Sequence, residues 1–436
     1  MKKYWLDCVF ATVFVFAVLW GISGLADLKI FDALNPIAEA VEDTKLTDFA
    51  FTTLRVEPPL VDTDIVIVNI GNLPRGMIGR QIEVLNSLQP KIIALDMIFY
   101  CPFSRDSIEC PNAYDTLGNK ILADAIANTN IMVLGHKLAQ SKTLLKEKPV
   151  TDEIDSLIHS DENIRGHAYE GFVNLATDAD HQEDLKICRE FVPAYEVYGK
   201  QELAFPVKIA SLYDSVKTKR FLERNNEEEV INYRGNILDW HTASEYPGRY
   251  IVLDYDQVLD TTSFVTSMIK DKIVIMGFLG KDLRDPSWED KLFTPLNKKP
   301  GGRARPDMFG VVIHANIVSM ILSEDYIDVL EEWQGITIAI VLVFLNVILF
   351  AIIYDRIPLW FDTASIALQL TELISFVLLM PYVMYWFNFE LEISLAMVAL
   401  ALAGPCFEIY ISIIKAGAAY LGKKWFTKKP VEVLTE

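Results

Sequence analysis

Two carboxylates five residues apart, Asp285 and Asp290, and a more distant imidazole, His314, invite a metal reading. Carboxylate oxygen and imidazole nitrogen together suit zinc or a similar ion. Their spacing matches no recognised ligand pattern, so the expectation is that no metal and no cofactor is bound. The competing role is structural. His314 and Asn316 at the start of an amphipathic helix can satisfy its free backbone amides, with Asp290 and Thr294 holding the preceding loop.

Upstream, Asn69, Asp96 and Gly277 fall at or near the carboxyl ends of apolar, strand-like runs. Open α/β sheets place their ligand crevices there, although an Asp at a strand end also simply caps a turn. Arg80 and Arg234 offer planar, bidentate donors to an anionic ligand or to one of the chain's own acids. The ligand-binding candidates are therefore Asn69, Arg80, Asp96, Arg234, Asp285, Asp290, His314 and Asn316. None is given a catalytic role, because the chain has no G-x-S-x-G, no H-E-x-x-H, no Walker loop and no G-x-G-x-x-G after a strand. The expectation is a binding protein rather than an enzyme.

The elements that must position these residues are legible from their periods. Residues 64–70 and 91–96 are β-branched, nearly continuous apolar runs, as in strands buried on both faces. Between them Ile82, Leu85 and Leu88 recur at helical spacing. The unit repeats loosely, with a helix at 121–128 and a strand at 131–135. Further on come 171–175, a helix at 205–213, and strands at 229–233 and 272–277. Such alternation predicts a mainly parallel α/β sheet with flanking helices, interrupted by a polar insertion at 141–166.

Four apolar runs, 8–25, 335–354, 364–387 and 391–414, reach the roughly 20 residues needed to cross hydrocarbon. Lys2, Lys3, Arg356, Lys415, Lys423, Lys424, Lys428 and Lys429 all fall on one side of them, which the positive-inside rule makes cytoplasmic. Gly24-Leu25-Ala26 also fits a processing site, so the first run is either an anchor or a cleaved leader. The expected divisions are an anchor at 1–26, an outer domain at 27–332, a three-helix bundle at 333–414 and a basic tail at 415–436. Within the bundle, Gln369, Glu372 and Glu408 are disfavoured by hydrocarbon. They are expected to face other helices or, for Glu408, to snorkel.

The stretch between Ala26 and Trp333 carries 32 Lys and Arg against 50 Asp and Glu, nearly all of the net charge of −19. This acidity argues against nucleic acid, whose binding rests on basic side chains. Among five cysteines, Cys101 and Cys110 bracket a short loop and could close it as a disulfide in an oxidising compartment.

Several separated segments resemble the CHASE2 extracellular sensor domain of bacterial signalling proteins. They are 64–70 with Arg80 and its helix, Pro90-Lys91-Ile92-Ile93-Ala94-Leu95-Asp96-Met97-Ile98-Phe99, Ala204-Phe205-Pro206-Val207-Lys208-Ile209-Ala210 and Ile231-Asn232-Tyr233-Arg234-Gly235. Toward the end come 272–277, Asp290-Lys291-Leu292-Phe293-Thr294-Pro295-Leu296 and Gly310-Val311-Val312-Ile313-His314-Ala315-Asn316. Gly71 stands where the family often has an acid, so that acid's role does not carry over. The resemblance implies one helix before the sensor and three after it, as read above. Family members commonly continue into a kinase, cyclase or other output domain, whereas about 20 residues follow Ile414, fewer than a small domain needs. The expectation is a multi-pass protein of the bacterial inner membrane that is an input module. It would bind an extracytoplasmic ligand or protein and signal through a separate partner. A structural subunit of an envelope complex is the alternative, and an extracytoplasmic hydrolase is a third possibility.

Overall fold

The computed structural model describes residues 5–26, 47–55, 60–101, 115–148, 153–175, 187–237, 248–260, 262–297 and 305–417. Two compact units are formed, one by Met1–Glu42 with Asp328–Glu436 and the other by Asp43–Ile327. Helix α1 (Trp5–Ala26) belongs to the first unit.

The second unit is α/β. Strand β1 (Asp62–Asn69), helix α2 (Arg75–Ser87) and strand β2 (Ile92–Leu95) open it, then α3 (Thr116–Ala127), β3 (Met132–Ala139), β4 (Ser156–Ile158) and β5 (Tyr169–Phe172). Helices α4 (Phe205–Tyr213) and α5 (Ser215–Leu222) precede β6 (Asn236–Ile237), β7 (Gly248–Leu253) and the short α6 (Tyr255–Leu259). The unit closes with β8 (Ile273–Gly277), β9 (Lys291–Leu292), β10 (Met308–Phe309) and α7 (Gly310–Ser323). Among the described residues, eight strands form one sheet in the order β6-β7-β1-β8-β2-β3-β4, with β5 also on β3. Every pairing is parallel except β3 with β4.

Successive strand residues face opposite sides of the sheet. On one side Val66, Val68, Ile93, Leu95, Val274 and Met276 pack in a single core with Ile78, Ile82, Leu85 and Leu122 of α2 and α3. Gly79 allows the two helices to touch, since a Cβ there would lie 2.9 Å from Leu122 Cα. The residues between, Ile65, Ile67, Ala94, Ile273 and Ile275, are equally buried. This burial on both faces is why these strands read as continuous apolar runs.

The expected strands at 64–70, 91–96, 131–135, 171–175 and 272–277 correspond to β1, β2, β3, β5 and β8, and the helix at 205–213 to α4. Of the expected strand at 229–233 only Glu229–Val230 forms one, antiparallel to Glu190–Phe191. The polar insertion at 141–166 contributes β4 and the short helices Lys142–Glu147 and Glu162–Arg165. Strand β7, which lies beside the central β1, is not among the sequence expectations.

The first unit contains α1, α8 (Glu332–Arg356), α9 (Phe361–Phe387) and α10 (Ser394–Ile409). Among the described residues, four segments are long and apolar enough to cross a membrane: Trp5–Ile22, Glu332–Arg356, Pro358–Phe387 and Ser394–Lys415. Their shared core combines small residues, Ala11 of α1 and Ala399 and Ala403 of α10, with Val343, Val347 and Phe350 of α8, Phe361 of α9 and Phe407 of α10. Leu345, Leu349, Leu370, Ile374 and Leu378 stay exposed, an outward surface suited to lipid tails.

Candidate functional site

The carboxyl ends of β2 and β8 and the first turns of α7 bring together Asp96, Asp290 and His314. Asp96 directly follows β2 and is tied to the sheet by its N–H, which donates to the Met276 carbonyl of β8 at 2.9 Å. His314 lies in α7, and its Nε2 is 3.8 Å from Asp96 Oδ2. That is too long for a hydrogen bond. Asp290 ends the loop that follows β8 with a left-handed backbone, φ 59°, and its carbonyl accepts from the Gly310 N–H at the start of α7 at 3.2 Å.

The surroundings shift both titrating groups toward their neutral forms. Burial, then the neighbouring Asp290 charge, raises the Asp96 carboxyl to about 7. The side chain is 19% exposed. Burial lowers the His314 imidazole to about 3, with a backbone hydrogen bond to Val173 acting the other way. At neutral pH the pair is therefore a part-protonated carboxyl beside a neutral imidazole, not an ion pair. Phe205 of α4 packs edge-on against the His314 ring at 5.3 Å. Among the described residues His314 Nδ1 is buried without a hydrogen-bond partner.

Asn69, at the end of β1, is buried and fully engaged. Its Nδ2 donates to Asp254 Oδ1 at 2.8 Å and to the Gly280 carbonyl at 3.2 Å, and its Oδ1 accepts from the Gly71 and Leu279 N–H groups at 2.9 Å. Asp254 in turn accepts from the Leu283 N–H at 3.0 Å and caps α6 in a capping box with Gln257. A cleft of about 940 Å³ opens at the end of β7, lined by Asp254, Tyr255, Gln257, Ser263, Phe264 and Arg284 among others. It does not coincide with the Asp96 group. The loop 278–290 joins the two, because its first half lines the cleft and its last residue faces Asp96.

The other candidates are placed apart or fully used. Arg80 lies on the exposed side of α2 and pairs with Glu83 at 2.6 Å. Arg234 pairs with Asp325, and burial together with the Arg249 charge lowers its guanidinium from the usual range. Asp285 accepts from the Lys281 and Ser287 N–H groups, which depress its carboxyl, and so closes the loop on itself. Asn316 does not satisfy the first amides of α7, whose N-cap Phe309 makes no side-chain bond. Instead its Oδ1 accepts from the Arg234 N–H at 2.9 Å, and its Nδ2 donates to the Gly235 and Val312 carbonyls at 3.0 Å. Thr294 is held by Asp307: the Thr294 hydroxyl donates to Asp307 Oδ2 at 2.5 Å and its N–H to Oδ1 at 2.9 Å. Burial raises Asp307 to about 7 against those bonds. Cys101 is disulfide-bonded, Cys188 is buried, and Cys110 lies outside the described residues.

Within the helical unit Gln369 and Glu372 turn toward neighbouring helices. Gln369 Nε2 donates to the Leu400 carbonyl at 2.6 Å and to that of Ala401 at 3.1 Å. Pro405 has no N–H to offer the Ala401 carbonyl one turn back, so Gln369 supplies the missing donor. Gly404 leaves room, since a Cβ there would lie 2.6 Å from Gln369 Oε1. Glu372 Oε1 accepts from Asn346 Nδ2 of α8 at 3.1 Å, a partner the sequence reading did not name. Glu408 is exposed on α10.

Comparison with curated proteins and with solved structures finds no match to this chain. The family model described as the CHASE2 domain matches residues 10–349. That span runs from α1 through the whole α/β unit into α8, and it contains Asp96, Asp290 and His314. The chain therefore belongs to the CHASE2 domain family, whose members are extracellular sensor domains of membrane proteins.

Proposed function

We propose that this chain is a sensory input protein of the bacterial inner membrane. In this reading the α/β unit binds an extracytoplasmic ligand at the carboxyl edge of its sheet, and the helical unit passes the change to a signalling partner. The protein acts by binding and not by catalysis.

The observation that carries the reading is the loop 278–290. Leu283 and Arg284 line the cleft, Asn69 and Asp254 fasten the loop to the ends of β1 and β7, and its last residue is bonded to the start of α7. A ligand in the cleft that favoured one position of this loop would bias the seating of α7, the condition for a population shift. Helix α7 ends at Ser323 and α8 begins at Glu332, so the chain offers no long flexible linker between sensor and membrane helix. The basic residues flanking the apolar runs support a cytoplasmic C-terminus.

The test is a thermal-shift screen of the full chain in mild detergent against a small-molecule library, followed by mass spectrometry of co-purifying proteins. A stabilising compound together with a signalling protein that is lost on truncation after Ile414 supports the reading. No stabilising compound, with only a stoichiometric envelope protein retained by both forms, would replace it with a structural role.

A further inference from the structure

The outer edge of β3 changes partner along its length. Its first half pairs in parallel with β5, from Val133 with Tyr169 to His136 with Phe172. Its second half pairs antiparallel with β4, Lys137 opposite Ile158 and Ala139 opposite Ser156. Continuing that antiparallel register by one residue sets His159 opposite His136. The parallel register sets Glu170 beside Leu134, two residues from His136 and so on the same face. The fork thus collects two imidazoles and a carboxylate, and one donor atom from each lies within 4.8 Å of the others.

Two features separate this group from a chance meeting of polar side chains. His136 is buried with 0% exposure, and among the described residues both of its ring nitrogens lack a hydrogen-bond partner. Leaving such a group unsatisfied is costly. Its ring centroid stands 5.1 Å from that of His159, and one of its orphaned nitrogens belongs to the cluster. Second, Glu170 is already oriented. Oε2 accepts from Arg165 Nη1 at 3.1 Å, while Oε1 lies 2.9 Å from His159 Nδ1, leaving that oxygen on the histidine side. The Arg165 charge opposes a cation, but Glu170 offsets it and the guanidinium is one-third exposed.

We propose that His136, His159 and Glu170 bind one divalent transition-metal ion of the zinc class through two imidazole nitrogens and one carboxylate oxygen. Donors on one tetrahedral zinc ion lie about 3.3 Å apart, from bond lengths of about 2.0 Å. The His159 and Glu170 atoms need separate by only a few tenths of an ångström, while His136 closes in. Three protein donors leave a fourth position for water or an anionic ligand. The ion pins β4 to β5 across β3 and gives the unpartnered imidazole its bond. This site is independent of the cleft and of the function proposed above.

The experiment uses the full chain, purified in mild detergent without a histidine tag, stripped with a chelator and dialysed against zinc. Metal content is measured by mass spectrometry and thermal midpoint by fluorescence. The expected result is one zinc per chain and a raised midpoint. His159→Ala and Glu170→Gln, both at partly exposed positions, weaken binding by more than about tenfold. His167→Ala, at an exposed neighbour outside the cluster, leaves it unchanged. Cobalt in place of zinc should give the visible absorption of a tetrahedral site in the wild type and in His167→Ala but in neither cluster variant. No retained metal, or retention unaffected by both cluster variants, or equal loss in His167→Ala, overturns the proposal.

Discussion

The Asp96 carboxyl lies 3.8 Å from His314 Nε2, yet the two do not form an ion pair, because burial drives both toward their uncharged forms. Asp96 leaves the sheet at the end of β2, and His314 belongs to the last helix before the chain enters the helical unit.

The Asp96 carboxyl sits at about 7 in the fold against an ordinary value near 3.9. Between those values the folded chain binds more protons than the unfolded one. The contribution of Asp96 is therefore fully present at low pH and is lost as pH rises from about 4 through about 7, by up to about 4 kcal/mol. Asp307, also raised to about 7, acts in the same direction, and His314, lowered to about 3, in the opposite one. The comparison must therefore be with Asp96→Asn. That variant should gain thermal stability over the wild type as pH climbs from 4 to 8. A constant difference across that range would refute the assignment.

Gly277 ends β8 against α7, and a Cβ there would lie 2.8 Å from Val311 Cβ and Cγ2. Gly277→Ala should cost about 1–3 kcal/mol through overpacking and should loosen α7 before the rest of the unit. Hydrogen exchange resolved by peptide checks this, with faster exchange at 311–323 than in α2 or α3. Unchanged exchange at 311–323 would mean that α7 yields freely.

Asn316 joins α7 to the segment at 234–235 through both ends of its amide. Asn316→Ala leaves buried backbone groups at Arg234 and Gly235 without partners, at about 1–3 kcal/mol. Asn316→Asp keeps the acceptor but loses the donor, and should also destabilise. Limited proteolysis near 234 reads the effect, and equal resistance in the wild type and both variants would contradict it.

How much of this was legible in the sequence depends on burial. Strands β2 and β8 are apolar at every buried position, and β1 at every one but its last, Asn69, so all three declared themselves. Strand β7 carries Arg249 beside Tyr250 and is only partly buried, so its pattern is broken although it pairs with β1. Strand ends pointed to Asn69 and Asp96, and the structure uses the first to fasten loops and the second in the titrating group. Arg80 was a candidate by type alone, and it pairs with Glu83 on the exposed side of α2, away from the Asp96 group. The meeting of Asp96, Asp290 and His314 depends on β8 inserting between β1 and β2, an order no local pattern encodes. The same holds for His136, His159 and Glu170, which meet because β3 changes partners midway.

In the helical unit Gln369 serves the Ala401 carbonyl that Pro405 leaves free. Gln369→Leu should weaken the association of α9 with α10 by about 0.5–2 kcal/mol, and Pro405→Ala in the same chain should recover part of that loss by restoring a backbone donor. Unfolding of the purified chain in graded sodium dodecyl sulfate measures both. No loss in the single variant would show that the contact contributes nothing.

The most direct test of the central claim is a thermal-shift screen of the full chain in mild detergent, run in parallel with Ser263→Trp, whose added ring fills the cleft from an exposed position. The account predicts that at least one small molecule stabilises the wild type, leaves Ser263→Trp unmoved, and slows hydrogen exchange at 278–290 and 311–323. Compounds that stabilise both forms equally, or a binder that leaves exchange in both segments unaltered, would contradict ligand sensing through this loop.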